Sequence, residues 1–386
     1  MRIGVFSNTY KPTVSGVVTS ICLFRQGLQQ RGHEVLIFAP ASRGYEDYEE
    51  GIFRYPAIDL PETLNASLAV PLSLRISRIL PSLGLDIIHS HHPVVMGRKA
   101  LRVSRRLEVP LVFTCHSRYE DFSDYVPLGE LSDPLVKKAI RHLVTDYVND
   151  CDMAICPSRH VMQLLRGYGI SRPMEVIPTP VELDVFGKGH GDGVRQKHGL
   201  VPTNPVLVYV GRLALEKELQ FLLRAFQLVL NGKPDCRLML VGSGPEERLL
   251  RLLSVELGIS EQVAFVGYVE HAQVPDYLAA SDLFVFCSRS EVQPLCVLEA
   301  LAAGLPIVAV RSPATEELLM PGMDAVLTER NERAFAFRVL SLLRDEDVRH
   351  ELGHKARRTA RRYSLGETAE RLEQAYERLR SRTTLC

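Results

Sequence analysis

Two glutamates, Glu291 and Glu299, stand eight residues apart in the otherwise apolar stretch SRSEVQPLCVLEALAAGLPIVA. A carboxylate is an acceptor-only group with two oxygens, suited to gripping the vicinal hydroxyls of a sugar or a ribose. Charges in so apolar a run are rarely buried without partners, and LCVLEALAAG is apolar on nearly every side of Glu299. Upstream, VGRLALEKE places Arg212 and Lys217 five residues apart, where a strand-like run gives way to a helical one. Two cations at a helix N-terminus oppose the helix dipole. They make sense if an anion shares the site, and a fixed cation pair could neutralise a leaving diphosphate as a metal does elsewhere. His116 ends another apolar run, PLVFTCHS. Gly16, in NTYKPTVSGVVTS, precedes a helix-like run, where free N–H groups attract phosphate, although an ordinary turn asks for the same residue.

Other chemistries lose their support. Neither a GxGxxG fingerprint nor a GxxxxGK[ST] loop occurs, which argues against nicotinamide-dependent and P-loop readings. His89, His91 and His92 form an H-x-H-H cluster. Strand alternation puts His89 and His91 on one face and His92 on the other, and no nearby Cys or Asp completes a ligand set, so no metal is expected. The acidic run Asp345, Glu346, Asp347 lies in a helical stretch rather than after a strand. The eight cysteines form no CxxC pair, and several sit in apolar runs, as in a reducing cytoplasm. Lys plus Arg equals Asp plus Glu at 46 each, so no nucleic-acid partner is expected. The N-terminal MRIGVFS enters a strand-like run without a signal peptide's apolar stretch. No apolar run reaches the roughly 18 residues needed to span a bilayer.

The elements that must position these residues follow from short apolar runs alternating with amphipathic stretches. Strands are predicted at 2–7, 34–40, 86–92, 110–117, 152–158 and 174–180, with helices between them such as 17–31 and 94–106. The pattern repeats at 205–211, 237–244, 263–269, 283–289, 306–312 and 324–328. Buried runs alternating with helices imply an α/β protein with two doubly wound parallel sheets. A stretch with three glycines within 187–191 reads as the linker between an N-terminal domain, 1–186, and a C-terminal domain, 187–365. Beyond Asp345 the chain is helical, with a break near Tyr363–Gly366, and the helix 366–386 is expected to pack back onto the first domain. Open parallel sheets bind ligands beyond the carboxyl ends of their strands, where the unusual residues fall. Two such sheets facing each other would make a central cleft.

Taken together, the motifs resemble retaining glycosyltransferases of family 4, which have the two-domain GT-B fold. The resemblance covers nearly the full length and rests on SGVV, RGHEVLIFAP, DIIHSHHP, FTCHSRYEDF, ICPSRHV, VIPTPVELDVF, VGRLALEK, LMLVGSGPE, FVGYV and SEVQPLCVLEALAAGLPIVA. It implies that Gly16 and Val17 approach the donor diphosphate and that His116 contacts the transferred sugar near its 6-hydroxyl. Arg212 and Lys217 would hold the departing diphosphate, Glu291 the sugar and Glu299 the ribose. Gly211, Gly242, Gly244, Val269, Leu295 and Cys296 would lie along the nucleotide-sugar. The implied reaction retains anomeric configuration, needs no metal or other cofactor, and treats the nucleotide-sugar as a substrate. One departure is Pro294, where the family usually has glycine: proline offers no N–H.

Within the family, FTCHSRYEDFSDYVP and ICPSR look most like diacylglycerol glucosyltransferases. That likeness implies UDP-glucose as donor, a lipid acceptor, and an acceptor wall from Tyr119, Glu120, Asp121 and Tyr125. Residues 71–106 carry seven basic residues against Asp86 alone, and Leu72, Ile76, Ile79, Leu80 and Leu83 keep helical spacing. A basic amphipathic helix attracted to anionic lipid is the expectation, with the protein peripheral on the cytoplasmic face of the membrane. GDP-mannose with a soluble or cell-envelope glycan acceptor stays open, as do an epimerase of the same fold and a non-catalytic nucleotide-sugar binder.

Overall fold

The structure is a computed structural model that describes residues 1–59, 67–119 and 133–383. The chain divides into two compact units, one of Met1–Pro180 with Leu365–Cys386 and one of Val181–Ser364.

In the first unit the strands are β1 (Arg2–Phe6), β2 (Glu34–Pro40), β3 (Ile52–Tyr55), β4 (Ala57–Asp59), β5 (Ser67–Ala69), β6 (Ile87–Ser90), β7 (Leu111–Thr114), β8 (Met153–Cys156) and β9 (Met174–Val176). The helices are α1 (Gly16–Gln30), α2 (Leu74–Ile79), α3 (Met96–Leu107), α4 (Asp133–Asn149) and α5 (Arg159–Gly167). A seven-stranded parallel sheet runs β3-β2-β1-β6-β7-β8-β9, while β4 and β5 form a separate antiparallel pair. The central strands are buried along nearly their whole length, as strands covered by helices on both faces must be.

The second unit contains β10 (Val206–Val210), β11 (Arg237–Val241), β12 (Val263–Gly267), β13 (Leu283–Phe286), β14 (Ile307–Val310) and β15 (Ala325–Thr328). Its helices are α6 (Leu183–Phe186), α7 (Asp192–Lys197), α8 (Leu219–Gly232), α9 (Glu247–Glu256), α10 (Val274–Ala279), α11 (Leu295–Ala303), α12 (Pro313–Leu318), α13 (Glu332–Arg344) and α14 (Glu346–Ala360). The six strands are parallel in the order β12-β11-β10-β13-β14-β15. The order reverses beside β10 here and beside β1 in the first unit, which marks the switch points where such sheets bind ligands. The final helix, α15 (Leu365–Thr383), returns to the first unit and packs on α1. Its Leu372, Ala375, Tyr376 and Leu379 join the core built by Ile3, Val5, Ile37, Val112 and Ile155.

Two expectations are corrected. Residues 187–191 are not a linker: α6 and α7 pack within the second unit against α10 and α11. Their glycines permit close approach, since a Cβ on Gly189 would lie 2.1 Å from the Pro275 carbonyl and one on Gly191 2.6 Å from the Ala280 backbone. The division falls instead at Val181 and Ser364, where the Val181 N–H donates to the Tyr363 carbonyl at 2.8 Å. The amphipathic helix expected after residue 71 is only the six-residue α2, capped by Ser73 and followed by a 3-10 turn containing Pro81. Of the leucines and isoleucines expected on its apolar side, Ile76 and Leu80 are buried and Ile79 and Leu83 half-buried, whereas Leu72 is exposed, as is Leu74.

Candidate functional site

The loop leaving β10 is held by backbone packing that only glycines permit. Gly211 has φ 151°, Gly242 has φ 133°, and a Cβ on Gly242 would lie 2.0 Å from the Gly211 carbonyl. One on Gly244 would lie 2.2 Å from the Leu213 carbonyl. The Leu213 N–H donates to the Ser243 carbonyl at 3.0 Å, and Tyr209 donates to the Arg212 carbonyl at 3.2 Å. These glycines therefore already have a structural reason to be glycine, the approach of two adjacent loops. So fixed, the loop presents Arg212 to solvent, and its guanidinium forms no ion pair among the described residues.

Lys217 closes the 3-10 turn Leu215–Lys217, which the Ser288 hydroxyl ties to the end of β13 by donating to the Glu216 carbonyl at 3.0 Å. There the Lys217 ammonium pairs with the Glu291 carboxylate, both side chains about one-fifth exposed. Burial disfavours the ammonium, but Glu291 outweighs it by charge and hydrogen bond and raises the Lys217 pKa. Lys217 is thus held as the ammonium near neutral pH.

Pro294 caps α11 in an extended conformation, so the helix opens on the N–H groups of Leu295 and Cys296, two of the donors that a helix start leaves unsatisfied. Glu299 sits in the second turn, buried at 8% exposure. Its carboxyl has a partner that the sequence reading missed: His271 Nε2 lies 2.8 Å from Glu299 Oε1. That hydrogen bond, against the opposing effect of burial, raises the His271 pKa, with further help from the charges of Glu299 and Glu182. His271 also meets the Phe186 ring edge-on at 5.5 Å between centroids. It follows β12 at the carboxyl edge, as Glu291 follows β13, and that position was its one available signal. Burial, then the charges of Glu291 and Glu299, push the Cys296 thiol up, so both carboxylates act on one spot at the start of α11. Val269 is half-buried just past β12.

In the first unit, Gly16 is the exposed first residue of α1, Val17 is half-buried, and the Ser15 hydroxyl caps the helix by accepting from the Val18 N–H. His116 follows β7, and its Nε2 lies 2.7 Å from Nδ1 of His91. The two rings stack at 5.0 Å, and His91 stacks on His89 at 4.4 Å. His89 is pinned at both nitrogens, by Tyr376 of α15 and by Thr114, each at 2.6 Å. His92 faces the other way and accepts the Asn8 N–H at 3.1 Å. Burial pulls His89 and His116 down to about 3 and His92 to about 4. Among the described residues, no group of three or more His, Cys, Asp or Glu is placed to hold a metal. Asp345 of the acidic run caps α14 by accepting from the Val348 N–H. Tyr119 is buried, whereas Glu120, Asp121 and Tyr125 lie outside the described residues.

The sequence profile described as Glycosyltransferase Family 4 matches residues 14–185, and that described as Glycosyl transferases group 1 matches residues 192–359. An alpha-monoglucosyldiacylglycerol synthase of Streptococcus pneumoniae is 32% identical over 85% of this chain and 75% of its own. A GDP-mannose-dependent alpha-mannosyltransferase of Corynebacterium glutamicum is 26% identical over 85% of this chain and 77% of its own. In fold, the chain is similar to Anabaena HepE, solved in complex with UDP and glucose, with a TM-score of 0.76 at 18% identity over 97% of this chain and 99% of that one.

Proposed function

Because this chain belongs to glycosyltransferase family 4 and has the two Rossmann-like halves of the GT-B fold, we propose that it transfers glucose from UDP-glucose to diacylglycerol at a membrane surface. The observation that carries the donor half is the arrangement around α11. The buried Glu299, bonded to His271, and the ion-paired Glu291 act on one helix start with two open N–H groups, in the same unit as the exposed Arg212. In this reading Glu299 accepts from the ribose hydroxyls and Glu291 from the hexose. The amides of Leu295 and Cys296 face the diphosphate; for Gly16 and Val17 a diphosphate role, and for His116 a contact near the 6-hydroxyl, are what the family resemblance implies. Gly211, Gly242, Gly244 and Val269 line the nucleotide.

The reaction we propose retains configuration and needs no metal. The bond from C1 to the diphosphate oxygen breaks as the acceptor oxygen attacks from the same face. The acceptor proton passes to that phosphate oxygen, and Arg212 with Lys217 stabilises the charge on the leaving group. Tyr119 would flank the acceptor.

Support for a membrane surface comes from α3. Arg98 and Arg105 share Asp150, but Lys99, Arg102 and Arg106 form no ion pair among the described residues. Burial lowers the Lys99 pKa, and the nearby Arg102 and Arg106 lower it further; such a cluster of cations suits an anionic lipid head group. Exposed Leu72 and Leu74 adjoin the basic Arg75 and Arg78 in sequence. No helix among the described residues is long and apolar enough to cross a membrane. The basic face of α3 is what favours a peripheral position on the cytoplasmic face in this reading.

The mannosyltransferase relative keeps GDP-mannose as the competing donor. Incubation with UDP-glucose or GDP-mannose over vesicles of diacylglycerol and anionic phospholipid, with lipids read by mass spectrometry, separates the two. Hexosyl-diacylglycerol from UDP-glucose alone is expected. Product from GDP-mannose alone would replace the donor, and product only on a soluble glycan would replace the acceptor.

A further inference from the structure

The histidine stack beneath His116 has no part in the reading above, and its geometry constrains what His116 can offer. Both His91 and His116 are kept uncharged by burial, so each ring carries one proton, and its two nitrogens are one donor and one acceptor. Nε2 of His116 is committed to Nδ1 of His91 at 2.7 Å. If His91 holds its proton on Nδ1, His116 accepts at Nε2 and presents a donor at Nδ1. If His91 holds it on Nε2, His116 donates at Nε2 and presents an acceptor. His91 is 2% exposed and stacked on His89, whose two nitrogens are fixed by Thr114 and Tyr376. The ring of His91 is thereby locked in place by β7 and by α15, a helix nearly three hundred residues further along the chain.

We infer that His91 is a positioning residue, which sets the tautomer and orientation of His116 and so decides whether its free nitrogen meets the donor sugar as a hydrogen-bond donor or acceptor. This rests on the proposed contact of His116 with the sugar. A packing role would act through the ring's bulk, whereas positioning acts through the nitrogen. Substitution separates them. His91→Phe keeps a flat ring for stacking and removes the nitrogen, while His91→Asn loses the ring and keeps a hydrogen-bonding atom near Nδ1.

The test has two readouts on the full chain. In long-range ¹H–¹⁵N spectra of ¹⁵N-histidine protein, with His116 assigned by its loss in His116→Asn, the wild type should show one neutral tautomer at His116. His91→Phe should change its nitrogen shifts. In turnover of UDP-glucose, His91→Phe should lower kcat/KM on the order of tenfold or more, with UDP affinity unchanged, and His91→Asn should restore most of it. With UDP-xylose, which lacks the 6-hydroxyl arm, wild type and His91→Phe should be equal. Unchanged His116 shifts in His91→Phe, or a His91→Phe enzyme at least as active as His91→Asn, would overturn the inference. If His91→Phe does not fold, the isosteric pair His91→Leu and His91→Asn carries the same comparison. Should His116→Ala turn over UDP-glucose normally, the proposed sugar contact fails, while the nitrogen shifts still report on the coupling of the two rings.

Discussion

Glu299 and Lys217 are both largely buried, and each side chain meets one partner of opposite character, His271 and Glu291 respectively. Removing a partner should therefore be visible at the residue left behind. In Glu299→Leu, His271 should titrate lower than in the wild type, since the contact that raises its pKa is gone while the opposing burial stays, as read by NMR. A midpoint unmoved by the substitution would sever the pair. The Arg212→Ala/Lys217→Ala double variant should lose about 10²-fold or more in kcat if these cations stabilise the leaving diphosphate; near-wild-type turnover would remove them from that role. The buried histidines make a prediction of opposite sign to that for His271. Their folded pKa values are depressed, so the unfolded chain takes up protons first, and stability present above about pH 6.5 is lost as pH falls toward 4. For His89, 3% exposed and drawn down to about 3, the slope approaches about 1.4 kcal/mol per pH unit. Urea unfolding at pH 7.5 and 5 checks it, and equal stabilities would contradict the burial. Glu291 and Glu299 were legible in the sequence because a charge in an apolar run stands out. His271 was not, because its partner lies 28 positions away across α10 and β13 and nothing local marks the pairing.

At the scale of elements, the central parallel strands were readable because each is a nearly continuous buried run. The edge strand β3 was not: IFRY is short, half-exposed and carries Arg54. The glycines of 187–191 look in sequence like a flexible joint, yet they are there so that two backbones can touch. Gly242 makes the same point with a sharper consequence, since its φ of 133° and the Gly211 carbonyl both exclude a side chain. Gly242→Ala should destabilise the fold by about 1–3 kcal/mol or more. Urea unfolding with an unchanged midpoint would mean that the loops separate freely.

For the molecule as a whole, the return of α15 to the first unit joins the ends of the chain in one core. Leu372 and Leu379 are nearly fully buried there, worth roughly 1.5–3 kcal/mol each. A chain ending at Ser364 should lose the cooperative unfolding of its first unit, followed by circular dichroism, while the second unit, which contains no part of α15, keeps its own transition. The central claim, a configuration-retaining, metal-free transfer of glucose to diacylglycerol, is tested most directly by one product. The protein is incubated with UDP-[1-¹³C]glucose and diacylglycerol vesicles in EDTA, and the anomeric carbon of the extracted lipid is examined by NMR. The account predicts ¹³C in an α-glucosyl linkage on the glycerol 3-hydroxyl; a β linkage, or label that never enters the lipid, would contradict it.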